Sequence, residues 1–427
     1  MAIPTSATGP EPGSQPIPGE ASQPVSEPAS EPGTALLRDR SAAQRVTFLE
    51  LFFDLVYVFA VTQLSHLLLA HLDWAGAAQT LVLLTAVWWA WNFTAWFTNW
   101  FDPDQLAVRL AIVGIMLAGL VMSAALPQAF GGRGLVFVLA YLAIQLGRHL
   151  FAAVALRGQQ LSREYTRAMV WFGLSTVFWL AGALVHSPAA RAGLWAVAAL
   201  VEYLAAAIGF PVPGLGRSST TAWNISGEHF VERCRLFVII ALGESILVSG
   251  QTFGGARFDA GRTAAFVTAF AIAVTMWWIY FALAGRAVDS VVETTADTGR
   301  MGLRITYVHL PIVAGVIVTA VGDEIVISHS GAHAAGLATA FVLVAGPALF
   351  LAGHLLLKRI MFGYFNRARH VGLVALALLV PLGTVLPPLA VFMAAAAVLV
   401  AVAGADVVAV RRITEAEAVS GAVSVEL

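Results

Sequence analysis

Stretches of eighteen or more residues without a single Asp, Glu, Lys or Arg recur along the chain, at 55–72, 74–101, 110–132, 168–190, 263–285, 305–322, 325–357 and 370–405. A helix that crosses the hydrocarbon core of a bilayer needs about 20 mostly apolar residues, because no water is there to pair its backbone groups. Repetition on this scale points to an all-α integral membrane protein with the lipid bilayer as its solvent. Composition agrees: 59% of the residues are apolar and 11% charged, against about 25% charged in soluble domains.

The run 370–405 is interrupted by Leu386-Pro387-Pro388, where the ring constraint and the missing N–H end one helix and allow a tight reversal. Counting two helices there, and admitting helices with one or two buried charges, twelve spans are expected: 47–70, 77–100, 106–126, 134–156, 167–186, 190–209, 230–250, 263–284, 303–321, 334–357, 370–386 and 389–410. Lys and Arg accumulate in cytoplasmic loops. With twelve spans, nineteen of the 24 basic residues fall on the side of the N-terminus, four on the other, and Arg148 lies within a helix. Both termini are therefore expected in the cytoplasm of a bacterial inner-membrane protein. Residues 1–45 open with a segment to about 37 that holds eight of the eighteen prolines and no Lys or Arg before Arg38. Such a segment cannot bury enough apolar area to fold alone and lacks the form of a secretory signal, so it reads as a disordered tail.

The chain also repeats itself. Phe48-x-Glu50 matches Phe230-x-Glu232, AVWWAWNF around Trp88 matches VTMWWIYF around Trp277, Arg109 matches Arg304, and His149-Leu150 matches His354-Leu355, with offsets of 182, 189, 195 and 205. Steadily rising offsets are what duplication followed by loop growth leaves. The expectation is two six-helix repeats, 46–210 and 229–410, separated by a cytoplasmic linker at 211–228, with a short tail at 411–427. An even number of spans per repeat makes the halves parallel.

The segments VTFLELFFDLVYVFAVTQLSHLL at 46–68, TNWFDPD at 98–104 and HFVERCRLFVIIALGESI at 229–246 resemble the signature segments of the low temperature requirement A (LtrA) family of bacterial membrane proteins. The resemblance covers about residues 45–410 and implies a multi-pass membrane architecture; it brings no biochemical activity with it. Cys234-Arg235 departs from the apolar or small pair expected there.

Several functions are excluded. A net charge of −1 offers no basic excess for a phosphate backbone, so nucleic acid is not a partner. The single cysteine, Cys234, cannot build a disulfide, a zinc-thiolate site or an iron–sulfur cluster within the chain. No phosphate-binding glycine motif occurs, so no cofactor is expected and energy, if used, comes from gradients.

Ionisable groups inside a bilayer cost several kcal/mol and are kept where they pair or do work. On the first helix Glu50, Asp54 and Tyr57 share one face. Asp54 and Arg148 lie at similar depths, roughly 12 Å inside the boundary, with Asn92 and Glu202 nearby. Arg148 therefore pairs with Asp54 or Glu202, either as a structural lock or as a gated ion pair facing a cavity. His229 and Glu232, spaced i and i+3, could stand with Glu50 in a carboxylate-and-imidazole site or simply pair with Arg233 and Arg235; without further ligands at fixed spacing no metal is expected. Glu244 lies roughly 21 Å from the cytoplasmic end of its helix, either neutral and bonded to Ser245 or a carbonyl, or titrating in a proton or cation pathway. His309, just before Pro311, has the same two readings. His66, His71, His186, His329 and His333 read as solvated interfacial residues, and the Trp88 to Trp100 series as packing plus an interfacial belt.

Duplicated halves with mid-membrane carboxylates suggest a secondary transporter or a proton- or ion-coupled permease for an unknown small molecule or ion. An intramembrane enzyme acting on a lipid-like substrate, using Glu50, Asp54, His229 and Glu232, is an alternative, and an ion channel is another. Self-association into a homo-oligomer is compatible with either.

Overall fold

A computed structural model describes residues 34–40, 44–255, 258–282, 295–329, 334–363 and 366–423. Among them are twelve α-helices: α1 Phe48–Ala70, α2 Trp74–Trp100, α3 Leu106–Ala125, α4 Gly134–Ala155, α5 Gln160–Leu184, α6 Pro188–Ala207, α7 Gly227–Gly254, α8 Ala260–Trp277, α9 Thr298–Ser328, α10 Gly336–Phe362, α11 Arg367–Leu382 and α12 Pro388–Val423. No strand is present among the described residues. Eleven helices are long and apolar enough to cross a membrane; α11, with 16 residues, is the exception. All twelve overlap the expected segments; α12 runs to Val423, thirteen residues past the expected end at 410 and into the segment expected as a tail.

Capping chemistry sets many of the helix starts. Thr47 and Glu50 form a reciprocal capping box on α1, and Asp73, Ser187, Ser226, Asp259, Asp297 and Asn366 each accept a backbone N–H of α2, α6, α7, α8, α9 and α11. The α11–α12 reversal falls where the proline pair demanded it, with Pro388 as the first residue of α12. Gly363, at φ 72°, closes α10 in a conformation that favours glycine.

Two boundaries differ from expectation for a polar reason. The fifth helix starts at Gln160 because its charged first turns are served in place: Glu164 pairs with Arg167 at 2.5 Å, and Arg167 also donates to the Leu215 carbonyl. The ninth runs through Pro311 to Ser328, seven residues past the expected end at 321, because Asp323 is hydrogen-bonded by α7.

Helices α1, α2, α7 and α9 pack against one another at the centre. Around them α3 lies on α1, then α4, α5 and α6 follow pairwise, with α6 returning to α2; on the other side α9 lies on α7, then α10, α11 and α12 follow pairwise, with α12 returning to α8. The α9–α10 seam is the closest. A Cβ built at Gly315 would meet the Phe350 N at 2.4 Å, and one at Gly353 the Ile312 N at 2.9 Å, so small residues let these backbones approach. The short segment ahead of α1 straps onto the end of α2, with the Arg38 N–H on the Trp100 carbonyl and the Asp102 N–H on the Leu36 carbonyl, both at 2.9 Å. Residues 34–40, at the end of the stretch read as a tail, are thus held by backbone pairing.

Candidate functional site

The face of the bundle carrying the start of α1 holds a closed charge network. Glu50 and Asp54, one helical turn apart on α1, turn to α7. Arg233 Nη2 reaches Asp54 Oδ1 at 2.6 Å. Arg233 Nη1 and His229 Nε2 each lie 3.0 Å from Glu50 Oε1, close enough for ion pairing though out of line for hydrogen bonds. Glu50 Oε2 takes Arg38 Nη2 and the Thr47 backbone N–H, both at 2.8 Å. Trp91 Nε1 of α2 donates to Asp54 Oδ1 at 2.8 Å, and Asn99 of α2 meets His229 Nδ1 at 3.2 Å while its carbonyl accepts the Ser226 N–H. Two carboxylates and two guanidiniums balance with the imidazole neutral. All but Arg38 are fully buried, and charges taken out of water are tolerated when paired and hydrogen-bonded in this way.

The expected pairing of Arg148 is corrected by the structure. Among the described residues no carboxylate lies within ion-pair distance of Arg148; it donates to the Ala90 carbonyl, to Thr94 Oγ1 at 2.8 Å and to Gln145 Oε1. Asp54 is taken by Arg233, from a helix outside the depth comparison. Glu202 instead accepts Tyr141 (2.5 Å), Ser175 (2.6 Å) and Trp179 (2.9 Å). The two are nevertheless linked. Gln145 Nε2 donates to the Tyr141 hydroxyl at 2.9 Å, so Arg148, Gln145, Tyr141 and Glu202 form a one-way chain of donors. Spacings of three and four residues put its first three members on one face of α4.

Other candidates separate. Glu232 is exposed and takes no part in the imidazole–carboxylate contact, which Glu50 and His229 make without it; a helix turns by 100° per residue, so Arg233 occupies the inward position. Glu244 is buried, and it faces Thr62 and His66 of α1 rather than Ser245. His309 is satisfied at both nitrogens, by the Ile305 carbonyl and the Tyr280 hydroxyl. His66, His71, His186 and His329 are exposed, His333 lies outside the described residues, and no group of three metal-ligating side chains converges among those described. The tryptophans of α2 divide: Trp88, Trp89 and Trp91 are fully buried in the interior, while Trp100 at the helix end is half-buried and Trp74 at its start is exposed.

Sequence reasoning misses the buried charged groups Arg233, Asp323, Asp406, Arg369, Lys358, Glu164 and Arg191. Depth and spacing make Arg233 an interfacial charge, put Asp323 past a helix end, and do not single out Asp406. Asp406 of α12 holds Arg369 in a bidentate pair at 2.9 and 2.5 Å, with Lys358 at 3.7 Å. Periodicity carries a signal for the first: His229, Arg233, Phe237 and Ala241 recur at helical spacing on one face.

Beside the charge network lies a cavity of about 50 Å³ between α2, α6, the 209–223 connection and the start of α9. Trp89, Phe93, Trp96, Phe210 and Trp223 wall it, and Asn92 and Thr306 close its inner end. The Thr306 hydroxyl lies 2.9 Å from the Gly302 carbonyl and 3.1 Å from Asn92 Oδ1, and the buried Asn92 Nδ2 has no partner. At helical rise this end is about 12 Å from the ends of α2 and α9.

Residues 45–404 match the family described as bacterial low temperature requirement A protein (LtrA). A curated relative, an uncharacterised protein of Rhizobium meliloti (strain 1021), is 40% identical over 332 residues, which cover 76% of this chain and 80% of the relative. No solved structure matches.

Proposed function

Since the chain belongs to the bacterial low temperature requirement A (LtrA) family, multi-pass membrane proteins by their helices, we propose that it is a secondary transporter of the inner membrane, built as two parallel six-helix repeats with both termini cytoplasmic. The observation that carries the reading is the network at the α1–α7 contact: His229 and Arg233 of one half close on Glu50 and Asp54 of the other. A buried lock between halves, set beside a cavity at the same boundary, is what a gate on one side of the membrane requires. The packing order supports the repeat, because every pairing within α1 to α6 except α2–α4 recurs six helices later, α1–α3 as α7–α9 and α2–α6 as α8–α12 among them. His149 and His354, matched in the repeat, are both fully buried.

At about 50 Å³ the cavity is far below the roughly 300–1,000 Å³ of a small-molecule site. Admission of a solute therefore needs α2, α6 and the 209–223 connection to part, with Asn92 as the polar anchor and the aromatic walls selecting an apolar or aromatic group. The test is counterflow: proteoliposomes loaded with a bacterial metabolite extract and diluted into labelled extract should accumulate at least one solute above empty liposomes, and the arginine at 233 should be needed for it. Lipid mass spectrometry of the same vesicles covers the enzyme alternative. A changed lipid species without solute exchange sinks the transport reading. Sidedness is checked with cysteines introduced at 39, 259 and 415: only the one at 259 should react with an impermeant thiol reagent outside cells.

A further inference from the structure

Asp323 differs from the carboxylates of the charge network. It lies on α9 five residues before Ser328, roughly 8 Å from the helix end, is 0% exposed, and has no ion-pair partner among the described residues. Ser245 Oγ of α7 donates to its Oδ2 at 2.6 Å, and Ser249 Oγ stands 3.3 Å from the same oxygen and 2.8 Å from the Ser245 carbonyl. Oδ1 has no partner.

A hydroxyl has one proton to give. The shorter contact of Ser249, to the Ser245 carbonyl, takes it, so Ser249 turns lone pairs toward Asp323. With no proton between them those two oxygens repel. A proton on Oδ2 makes the contact a hydrogen bond and completes a directed chain from the Ser245 hydroxyl to Asp323, to the Ser249 hydroxyl, to the Ser245 carbonyl. Loss of that proton leaves an anion buried without a cation, which burial disfavours strongly. The titratable groups on the packed elements do not replace it: Glu244 of α7 is turned to Thr62 and His66 of α1, His66 and His71 of α1 are exposed and Asp73 caps the start of α2, Arg262 stands in the first turn of α8, Glu324 and His329 are on α9 itself, and α10 and α12 bring none before His354 and Asp406.

We propose that Asp323, held by Ser245 and Ser249 where α7 meets α9, is a proton-binding site that exchanges with the face opposite the charge network. It deepens the transport reading, on which its coupling role rests, by naming the proton as the coupling ion; the site itself is tested without a substrate. The probe is the proton alone, in infrared difference spectra of the full-length protein in lipid nanodiscs cycled between acidic and alkaline buffer. A carboxylic-acid carbonyl band that disappears on deprotonation is expected in the unmodified protein, lost in Asp323→Asn and kept in Glu244→Gln.

The two serines give opposite signs. Ser249→Ala removes the acceptor of the proton and should move the titration midpoint down; Ser245→Ala removes a donor to the ionised carboxylate and should move it up. A purely structural Asp323 gives neither shift. The proposal is overturned by an unchanged band in Asp323→Asn, by serine variants that shift together or not at all, or by replacement of potassium with sodium abolishing the band at fixed pH, which marks a sodium site. A titrating Asp323 band in a protein without solute exchange retains the proton site and removes transport; solute exchange with no Asp323 band does the reverse.

Discussion

Helices α1 and α7 meet twice, and the two meetings are built from opposite chemistry. Near their starts Glu50 and Asp54 are balanced by Arg233 and by Arg38 from the segment ahead of α1, with His229 beside Glu50. Near their far ends Glu244 and, through α9, Asp323 face only hydroxyls, an exposed imidazole and apolar side chains. The first arrangement resists separation of the helices, since parting them strands charge. The second responds to a proton. One helix pair can thus carry a lock at one membrane face and a sensor at the other. The same contrast separates α6 from α12: Glu202 of α6 is bound only by hydroxyl and indole donors, whereas Asp406 of α12 holds two cations.

The largest effect is expected at Arg233. Arg233→Ala leaves Glu50 and Asp54 buried and facing each other, and should lower stability by about 3–5 kcal/mol, read as loss of folded yield and of unfolding temperature in detergent. The triple variant that adds Glu50→Gln and Asp54→Asn should recover most of the loss. Equal instability of the two would break the comparison, because the charge network would then not be what holds this contact.

Asp406 and Glu202 come next. Asp406→Asn strands the buried Arg369 beside the buried Lys358, again a loss of about 3–5 kcal/mol. Glu202→Gln replaces an acceptor with a donor among three donors and should cost about 1–3 kcal/mol. A loss at Glu202 as large as that at Asp406 would mean that the relay to Arg148 acts as a full ion pair. A double-mutant cycle of Arg148→Met with Glu202→Gln sharpens this: coupling above about 0.5 kcal/mol shows that the chain through Gln145 and Tyr141 transmits charge, and additivity shows that it does not.

The smallest effect belongs to the aqueous surface. Burial pushes the Asp297 carboxyl up, but the Thr220 hydroxyl at 2.6 Å, the Arg300 N–H and the Arg300 guanidinium together hold it below its ordinary 3.8. A depressed carboxyl contributes fully above pH 3.8 and loses its contribution as pH falls through the lower folded value. Asp297→Asn keeps the helix cap, worth about 0.5–2 kcal/mol, and should remove this part of the acid sensitivity in melting curves between about pH 5 and pH 2.

Much of the architecture was readable in advance. Lipid forces each spanning segment to satisfy its own backbone, so apolar length located nine helices, the tolerance of one or two buried charges added the other three, and the proline pair at 387–388 located their last reversal. Helix periodicity put Glu50 and Asp54 on one face, and both do point the same way. What depth and spacing could not supply was the azimuth of one helix about its neighbour. Arg148 and Asp54 do not meet, because Arg233 of α7, turned inward, takes Asp54 while Arg148 turns to Ala90, Thr94 and Gln145, and Glu232, one residue earlier than Arg233, is carried out by the helical turn. The tryptophan pairs diverge for a similar reason: Trp88 and Trp89 are buried because α2 is central, and Trp277 and Trp278 are exposed because α8 is peripheral. Apolar length is a local property and is written in the chain. Which charge answers which depends on packing between segments tens to hundreds of residues apart, and that was decided only when α1, α2, α7 and α9 closed on one another.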